Sequence, residues 1–313
     1  MDSHQPPQPS TFKRDRKLLD ANEVFTHNAW DDTEWTDDMY EEAERRIEEQ
    51  RQASRFYGND IGEQESNVTN KWNEFYALHE DKFFKDRKWV FSEFPELLQG
   101  ITMGSLQDHT TTEPYQIFEV GCGVGNAVVH ILNNNTQPNL RIYCCDLSEV
   151  AIETLKKRDF YLQQPDSVIA FQADVCREFE SNVLTRIEPN SQNFIMLIFT
   201  LSAFKPELMR QAIRNLTTLL RPGGMILFRD YAQYDLTQLR FKGSALLRDN
   251  YYIRSDGTTS YYFTKETVRE LFTGDDSPLV EVELKLDNRL LVNRLKGIKM
   301  CRCWIQGKFK KLT

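Results

Sequence analysis

The 313-residue chain lacks the marks of a membrane or secreted protein. No apolar run approaches the ~20 residues that a bilayer-spanning helix needs. The N-terminus opens with Asp2 and a Pro/Gln-rich stretch and has no apolar h-region, which argues against a signal peptide. Asp2, Asp15 and Asp20 argue against a mitochondrial presequence, although Lys13, Arg14, Arg16 and Lys17 share that segment. There are only six cysteines and no C-x-x-C pair, so neither zinc nor a disulfide framework is expected. Cys122 lies in a glycine turn, Cys144 and Cys145 are adjacent in an apolar run, Cys176 is isolated, and Cys301 and Cys303 are two apart. Reduced structural thiols fit this pattern and a cytoplasmic location, with a nuclear or mitochondrial pool left open. There is no internal repeat, and no metal or membrane partner is expected.

Net positive charge is also missing: the balance is −8, which by itself speaks against nucleic acid. Its distribution says otherwise. Residues 1–65 hold 17 acids against 8 bases, whereas residues 285–313 hold 9 bases against Asp287 alone. One end is acidic and the other basic, a pattern that fits a solvated face or a polyanion-binding patch.

Composition divides the chain into an acidic, partly disordered extension (1–66), a helical segment (67–114) and a larger domain (115–313) with an insertion at 231–263. Residues 1 to about 20 and 59–66 are expected to be flexible. A surface helix is expected over 39–51, capped by Asp37 or Asp38. Trp72, Phe75, Tyr76 and His79 recur at helical spacing, and a second helix is expected around Val90 to Leu98. Between them Lys82, Lys85, Arg87 and Lys88 interleave with Phe83, Phe84 and Trp89, as where bases and phosphates meet protein.

From residue 115 strand and helix patterns alternate, so a mostly parallel sheet covered on both faces is expected. Strands are expected at 115–120, 141–146, 168–173, 194–199 and 225–230, with Ser148 capping a helix and another helix over 206–220. The insertion breaks the alternation with a hairpin turning at Asp256-Gly257. A short helix (265–272) and strands near 280–286 and 299–308 complete a seven-stranded α/β domain.

The first strand runs into Glu119-Val120-Gly121-Cys122-Gly123-Val124-Gly125, a strand, glycine turn and helix. The third glycine comes one residue earlier than in dinucleotide-binding loops. This is the form found in S-adenosylmethionine-dependent methyltransferases, and Gly121, Gly123 and Gly125 are the expected cofactor glycines. Asp146 follows Gly125 by 21 residues, close to the ~20-residue offset of an acid that accepts ribose hydroxyls. Asp174 ends the third strand and could accept the adenine amino group, and Ile198 could cover the adenine face. At the end of the fifth strand, Asp230 either faces the transferred methyl group or forms an ion pair with Arg229, Arg240 or Arg254. Trp72 and Tyr76 could equally be packing residues.

The chain resembles the methyltransferase-like enzymes that form N3-methylcytidine in tRNA anticodon loops. The resemblance rests on Lys71-Trp72-Asn73-Glu74-Phe75-Tyr76, Phe83-Phe84-Lys85-Asp86-Arg87, the glycine turn, Leu197-Ile198-Phe199-Thr200-Leu201-Ser202-Ala203, Phe228-Arg229-Asp230-Tyr231, Leu239-Arg240-Phe241-Lys242, Tyr252-Ile253-Arg254 and Asp256-Gly257-Thr258. It covers the chain from about Thr69 onward, and His27-Asn28-Ala29-Trp30-Asp31 is similar to the cytosolic branch. Lys205 departs from the histidine that relatives carry before Pro206.

The resemblance implies a Rossmann-like class I methyltransferase acting on cytidine 32 of threonine tRNAs and of some arginine tRNAs. It implies that Trp72, Tyr76, Gly121, Asp146, Asp174 and Ile198 contact S-adenosylmethionine. Asp230 is the expected catalytic residue, with Arg229 and Tyr231 helping to place the cytosine. Lys82, Phe84, Lys85, Arg87, Lys88, Arg240, Lys242 and Arg254 are the expected tRNA contacts. A partner protein for some tRNAs is left open. The competing readings are a protein or small-molecule methyltransferase and a non-catalytic scaffold of the same fold.

Overall fold

A computed structural model describes residues 16–57, 68–102 and 114–312. Of the stretches expected to be flexible, 1–15 and 59–66 lie outside these residues, whereas 16–20 are described, with Leu18 packed on Val24 and Trp30 and the Arg16 carbonyl accepting the Asp31 N–H at 2.9 Å. Described strands are β1 (Ala29–Trp30), β2 (Tyr115–Val120), β3 (Leu140–Asp146), β4 (Val168–Gln172), β5 (Gln192–Ile198), β6 (Leu220–Tyr231), β7 (Leu246–Arg248), β8 (Tyr251–Ile253), β9 (Thr259–Tyr261), β10 (Leu279–Asn293) and β11 (Ile298–Lys311). The helices that matter for the site are α1 (Asp37–Ala53), α2 (Val68–His79), α3 (Val90–Glu93), α4 (Pro95–Thr102), α5 (Val128–Asn133), α6 (Glu149–Lys156) and α7 (Asp159–Gln163).

The main sheet has the order β1-β10-β11-β6-β5-β2-β3-β4. The five strands from β6 to β4 are parallel, because a chain that returns through a covering helix enters each strand from the same end. β11, β10 and β1 add antiparallel at the edge. β5, buried at every position, divides two apolar cores, one on each face of the sheet.

Among the described residues the sheet has eight strands, one more than the seven expected. The extra one is β1, whose Ala29 and Trp30 pair with Leu291 and Leu290. Trp30 is buried with Val24, Leu290 and Val292, and its indole N–H donates to the Val24 carbonyl at 2.9 Å. A two-residue strand has no alternation to read, so only its partner reveals it.

The helix expected on the surface at 39–51 is α1, and Thr36 caps it through the Met39 N–H. Its weak apolar face is nonetheless covered: Ala43, Ile47 and Gln50 are buried against the insertion. The Gln50 amide donates to the carbonyls of Gln238 and Phe241 and accepts the Tyr252 hydroxyl at 2.8 Å. This contact is mostly hydrogen bonding, which hydropathy does not register. The insertion contains the expected hairpin, β8 and β9 joined at Gly257 with φ 81°, and adds β7 antiparallel to β8. Pro95 splits the helix expected near 90–98 into α3 and α4.

The chain leaves β2 toward β3 and β4, then crosses back to β5 and β6. The order reverses at β2, so the carboxyl ends of β2 and β5 form the crevice where ligands bind in such sheets.

Candidate active site

Two cavities open at that crevice. The smaller, about 210 Å³, is lined by Trp72, Tyr76, Gly121, Asp146, Asp174 and Val175 among others. The larger, about 640 Å³, lies between the α2 segment, the glycine turn and the insertion. Five residues line both: Trp72, Tyr76, Gly121, Phe199 and Ala203.

The glycine turn is shaped for close approach. Gly121 and Gly123 have φ of 65° and 54°, a region that side chains disfavour. A Cβ on Gly121 would stand 2.3 Å from Thr200, and one on Gly123 would stand 2.6 Å from the Tyr76 hydroxyl. Gly125 lies outside both cavities and packs under Phe160 and Leu155. In this position its lack of a side chain serves packing.

Asp146 ties strand to turn. Its Oδ2 accepts the Gly123 N–H and its Oδ1 the Ser148 N–H, both at 2.9 Å. Burial raises its pKa, and these amides only partly offset that. Glu119, fully buried behind the turn, is pushed up to about 7 by burial, and its Oε2 has no protein partner. Asp174 Oδ1 accepts the N–H groups of Cys176 and Arg177 while the residue lines the smaller cavity.

The α2 segment lies over the turn through an aromatic cluster. Trp72, Phe75, Tyr76 and Phe84 pack on Val124 and Ala151. The Ser148 hydroxyl donates to Asn73 at 2.7 Å, and Arg87 N–H donates to the Asn126 carbonyl at 2.9 Å. Polar locks at both ends hold an apolar cover in place.

Three of the expected site residues, Ile198, Arg229 and Asp230, line neither cavity. Ile198 is fully buried in the core behind β2, and its carbonyl accepts from Arg87 at 2.6 Å. Its neighbour Phe199 reaches the cavities instead. Arg229 is 2% exposed and enters an ion cluster with Asp287, Glu93 and Arg289, between the rings of Trp89 and Trp304, which separate it from the larger cavity they line. Burial would raise the Asp287 carboxyl, but Arg289 and Arg229 hold it below its usual range. Asp230 is fully buried and lines neither cavity. Its Oδ2 accepts the Ser202 N–H and its Oδ1 the Tyr231 N–H, each at 2.9 Å, and burial pushes it up to about 6. It makes no ion pair with Arg229, and it sits behind the cavity wall rather than in it.

Of the expected tRNA contacts, Phe84, Lys85, Arg87, Arg240 and Arg254 line the larger cavity. Lys88 and Lys242 are exposed outside it, and Lys82 is exposed and paired with Glu80. Tyr231 lines that cavity, with Arg254 5.8 Å over its ring. Arg302 and Trp304 line it too. They come from β11, and Asp235, fully buried, holds Arg302 at 2.8 Å. Nothing in Cys301-Arg302-Cys303-Trp304 distinguishes those two from ordinary strand residues.

Comparison with known proteins decides the family. Residues 118–226 match the methyltransferase domain model. The tRNA N(3)-methylcytidine methyltransferase of Drosophila melanogaster is 40% identical over 95% of this chain and 87% of that protein. The chain belongs to the tRNA N3-cytidine methyltransferase family.

The tRNA(Thr) (cytosine(32)-N(3))-methyltransferase of Saccharomyces cerevisiae is 38% identical over 94% of this chain and 45% of that longer protein. Among solved structures, the 1,6-didemethyltoxoflavin N1-methyltransferase of Burkholderia thailandensis shares the fold, with a TM-score of 0.51 and 13% identity over 81% of this chain and 91% of that one. The seven strands from β10 to β4, with β1 added at the edge, are thus a class I methyltransferase sheet. In this family member the smaller cavity suits S-adenosylmethionine: Asp146 stands at the end of β3, Asp174 follows β4, and Gly121 brings bare backbone to the wall.

Proposed function

We propose that this protein methylates N3 of cytidine 32 in the anticodon loop of threonine tRNAs, and of some arginine tRNAs. The observation that carries the reading is the pair of adjoining cavities. One is edged by Asp146, Asp174 and Gly121, and the other by aromatics and by Lys85, Arg87, Arg240, Arg254 and Arg302.

Trp72, Tyr76, Gly121 and Asp146 would hold S-adenosylmethionine in the smaller cavity. When bound it supplies an electrophilic methyl, so that the N3–C bond forms as the S–C bond breaks, sulfur keeps that electron pair, and the cytosine ring becomes cationic. Everything else is positioning by the chain. N3 carries an in-plane lone pair, so no covalent nucleophile is needed. A paired base is out of reach, whereas a loop base can splay out and stack on aromatics. The arginines of the larger cavity suit loop phosphates, and the buried Asp230 adds negative charge behind the wall as the ring becomes positive.

The test is incubation of the purified full chain with methyl-labelled cofactor and threonine or arginine tRNA transcripts, followed by nucleoside mass spectrometry. N3-methylcytidine should form in the transcript with cytidine 32 and not in one with uridine there. Label entering protein or a small molecule instead, or no label transfer at all, would favour the competing readings. A threonine transcript modified without a second protein, and an arginine transcript modified only with one, would locate any partner requirement.

A further inference from the structure

Phe199 follows β5 with φ of +53°, a left-handed backbone at a bulky aromatic residue. Such strain persists only where the surroundings enforce it, and it concentrates at functional sites. Three contacts enforce it here. The Phe199 N–H donates to the Arg229 carbonyl at 2.7 Å, Arg87 donates to the Ile198 carbonyl at 2.6 Å, and the Thr200 hydroxyl donates to the Val120 carbonyl at 3.0 Å. The left-handed turn places the Phe199 ring where the two cavities meet, while Ile198 before it stays in the core. The ring is held by Trp89 and Trp304, both near-perpendicular at 6.3 Å, by Tyr231, tilted at 5.1 Å, and by the Arg87 guanidinium 5.7 Å over its centroid. Of the five residues shared by both cavities, it alone combines an aromatic face with a strained backbone and lies outside the α2 cover.

We infer that Phe199 is the platform on which the target base stacks at the passage between the cavities, setting the plane in which the ring nitrogen meets the methyl donor. The inference rests on the functional reading above. Stacking is tolerant of base identity, so Phe199 sets where the base lies, and other groups choose which base it is. Misplacement by about 1 Å can cost 10²-fold in rate without loss of binding.

The test compares Phe199→Leu, which keeps apolar volume, with Phe199→Tyr, which keeps the ring, in the full-length protein. Phe199→Leu should lower kcat about 100-fold, with dissociation constants for tRNA and cofactor within about threefold and a Tm within about 4 °C of wild type. Phe199→Tyr should retain at least about a tenth of the rate. A tRNA with pyrrolocytidine at the target position reports stacking without turnover: wild type and Phe199→Tyr should give the same stacked emission, and Phe199→Leu a brighter one. Normal turnover and unchanged emission in Phe199→Leu overturn the inference. So does an equal fall of cofactor affinity and Tm in both variants, which would make the ring a packing element. No N3-methylcytidine from the wild-type protein would instead remove the functional reading itself.

Discussion

Oδ2 of Asp230 accepts the backbone N–H of Ser202 at 2.9 Å, so the last acid of β6 fastens the loop that follows β5. That loop carries Phe199, Thr200 and Ala203, which edge the smaller cavity, and Phe199, Ser202 and Ala203 also line the larger one. Asp230 therefore acts on the site through the loop.

Asp230→Ala strands two buried N–H groups and should lower stability by about 2 kcal/mol. Methyl transfer should fall about 100-fold while cofactor affinity stays close to wild type. Asp230→Asn, whose amide oxygen still accepts one N–H, should recover part of both. Because burial pushes the Asp230 carboxyl up to about 6, wild-type turnover should decline as pH falls through that value and protonation removes an acceptor. Denaturant unfolding and single-turnover rates check the set. Wild-type turnover in Asp230→Ala would end this assignment.

Asp146 joins the end of β3 to the glycine turn through the Gly123 N–H. Asp146→Ala should weaken cofactor binding by about 2 kcal/mol, roughly 30-fold, by removing a charge-assisted acceptor and loosening the turn. Calorimetric titration with S-adenosylhomocysteine measures this. An unchanged dissociation constant would contradict it.

Burial raises the Glu119 carboxyl from 4.5 to about 7. The folded state thus holds this proton more tightly than the unfolded chain, and the penalty for folding around an ionised Glu119 grows as pH rises from 4.5 through about 7. Glu119→Gln escapes that penalty. Its stability relative to wild type should improve by ~2 kcal/mol between pH 5 and pH 8, read from guanidinium unfolding at both values. A difference that does not change with pH would mean the carboxyl is not desolvated as described.

Binding of tRNA should weaken linearly in a plot of log affinity against log salt. Arg240, at the rim of the larger cavity and exposed, is a phosphate contact on this reading. Arg240→Gln should reduce the slope by about 1 and weaken different tRNAs alike. Filter binding across a salt series is sufficient, and a flat response would rule the docking face out.

The cofactor half was legible because its signals are local. A glycine turn after an apolar run, an acid about 20 residues on and Ser148 as a helix cap are each written within one strand-turn-helix unit. The parallel core strands read off as continuous apolar runs for the same reason. The substrate half was legible only as motifs. Arg229 and Asp230 are adjacent in the chain, yet one closes an ion cluster against β10 and α3 while the other fastens the β5 loop. Successive strand residues face opposite sides of a sheet, so their partners come from elements distant in sequence.

By itself the sequence determined the alternating α/β fold and the cofactor turn, since period and turn chemistry are properties of neighbouring residues, and its motifs carried the resemblance to the family. Only the tertiary structure decided that Phe199 and not Ile198 meets the ligand cavities, that Gly125 packs against Phe160, that α1 docks on the insertion through Gln50, and that Arg302 and Trp304 belong to the site. Each depends on a long-range pairing or on one left-handed residue that redirects the chain. Such choices are settled by which hydrogen bonds and buried faces can be satisfied together, and that is known only once every element is in place.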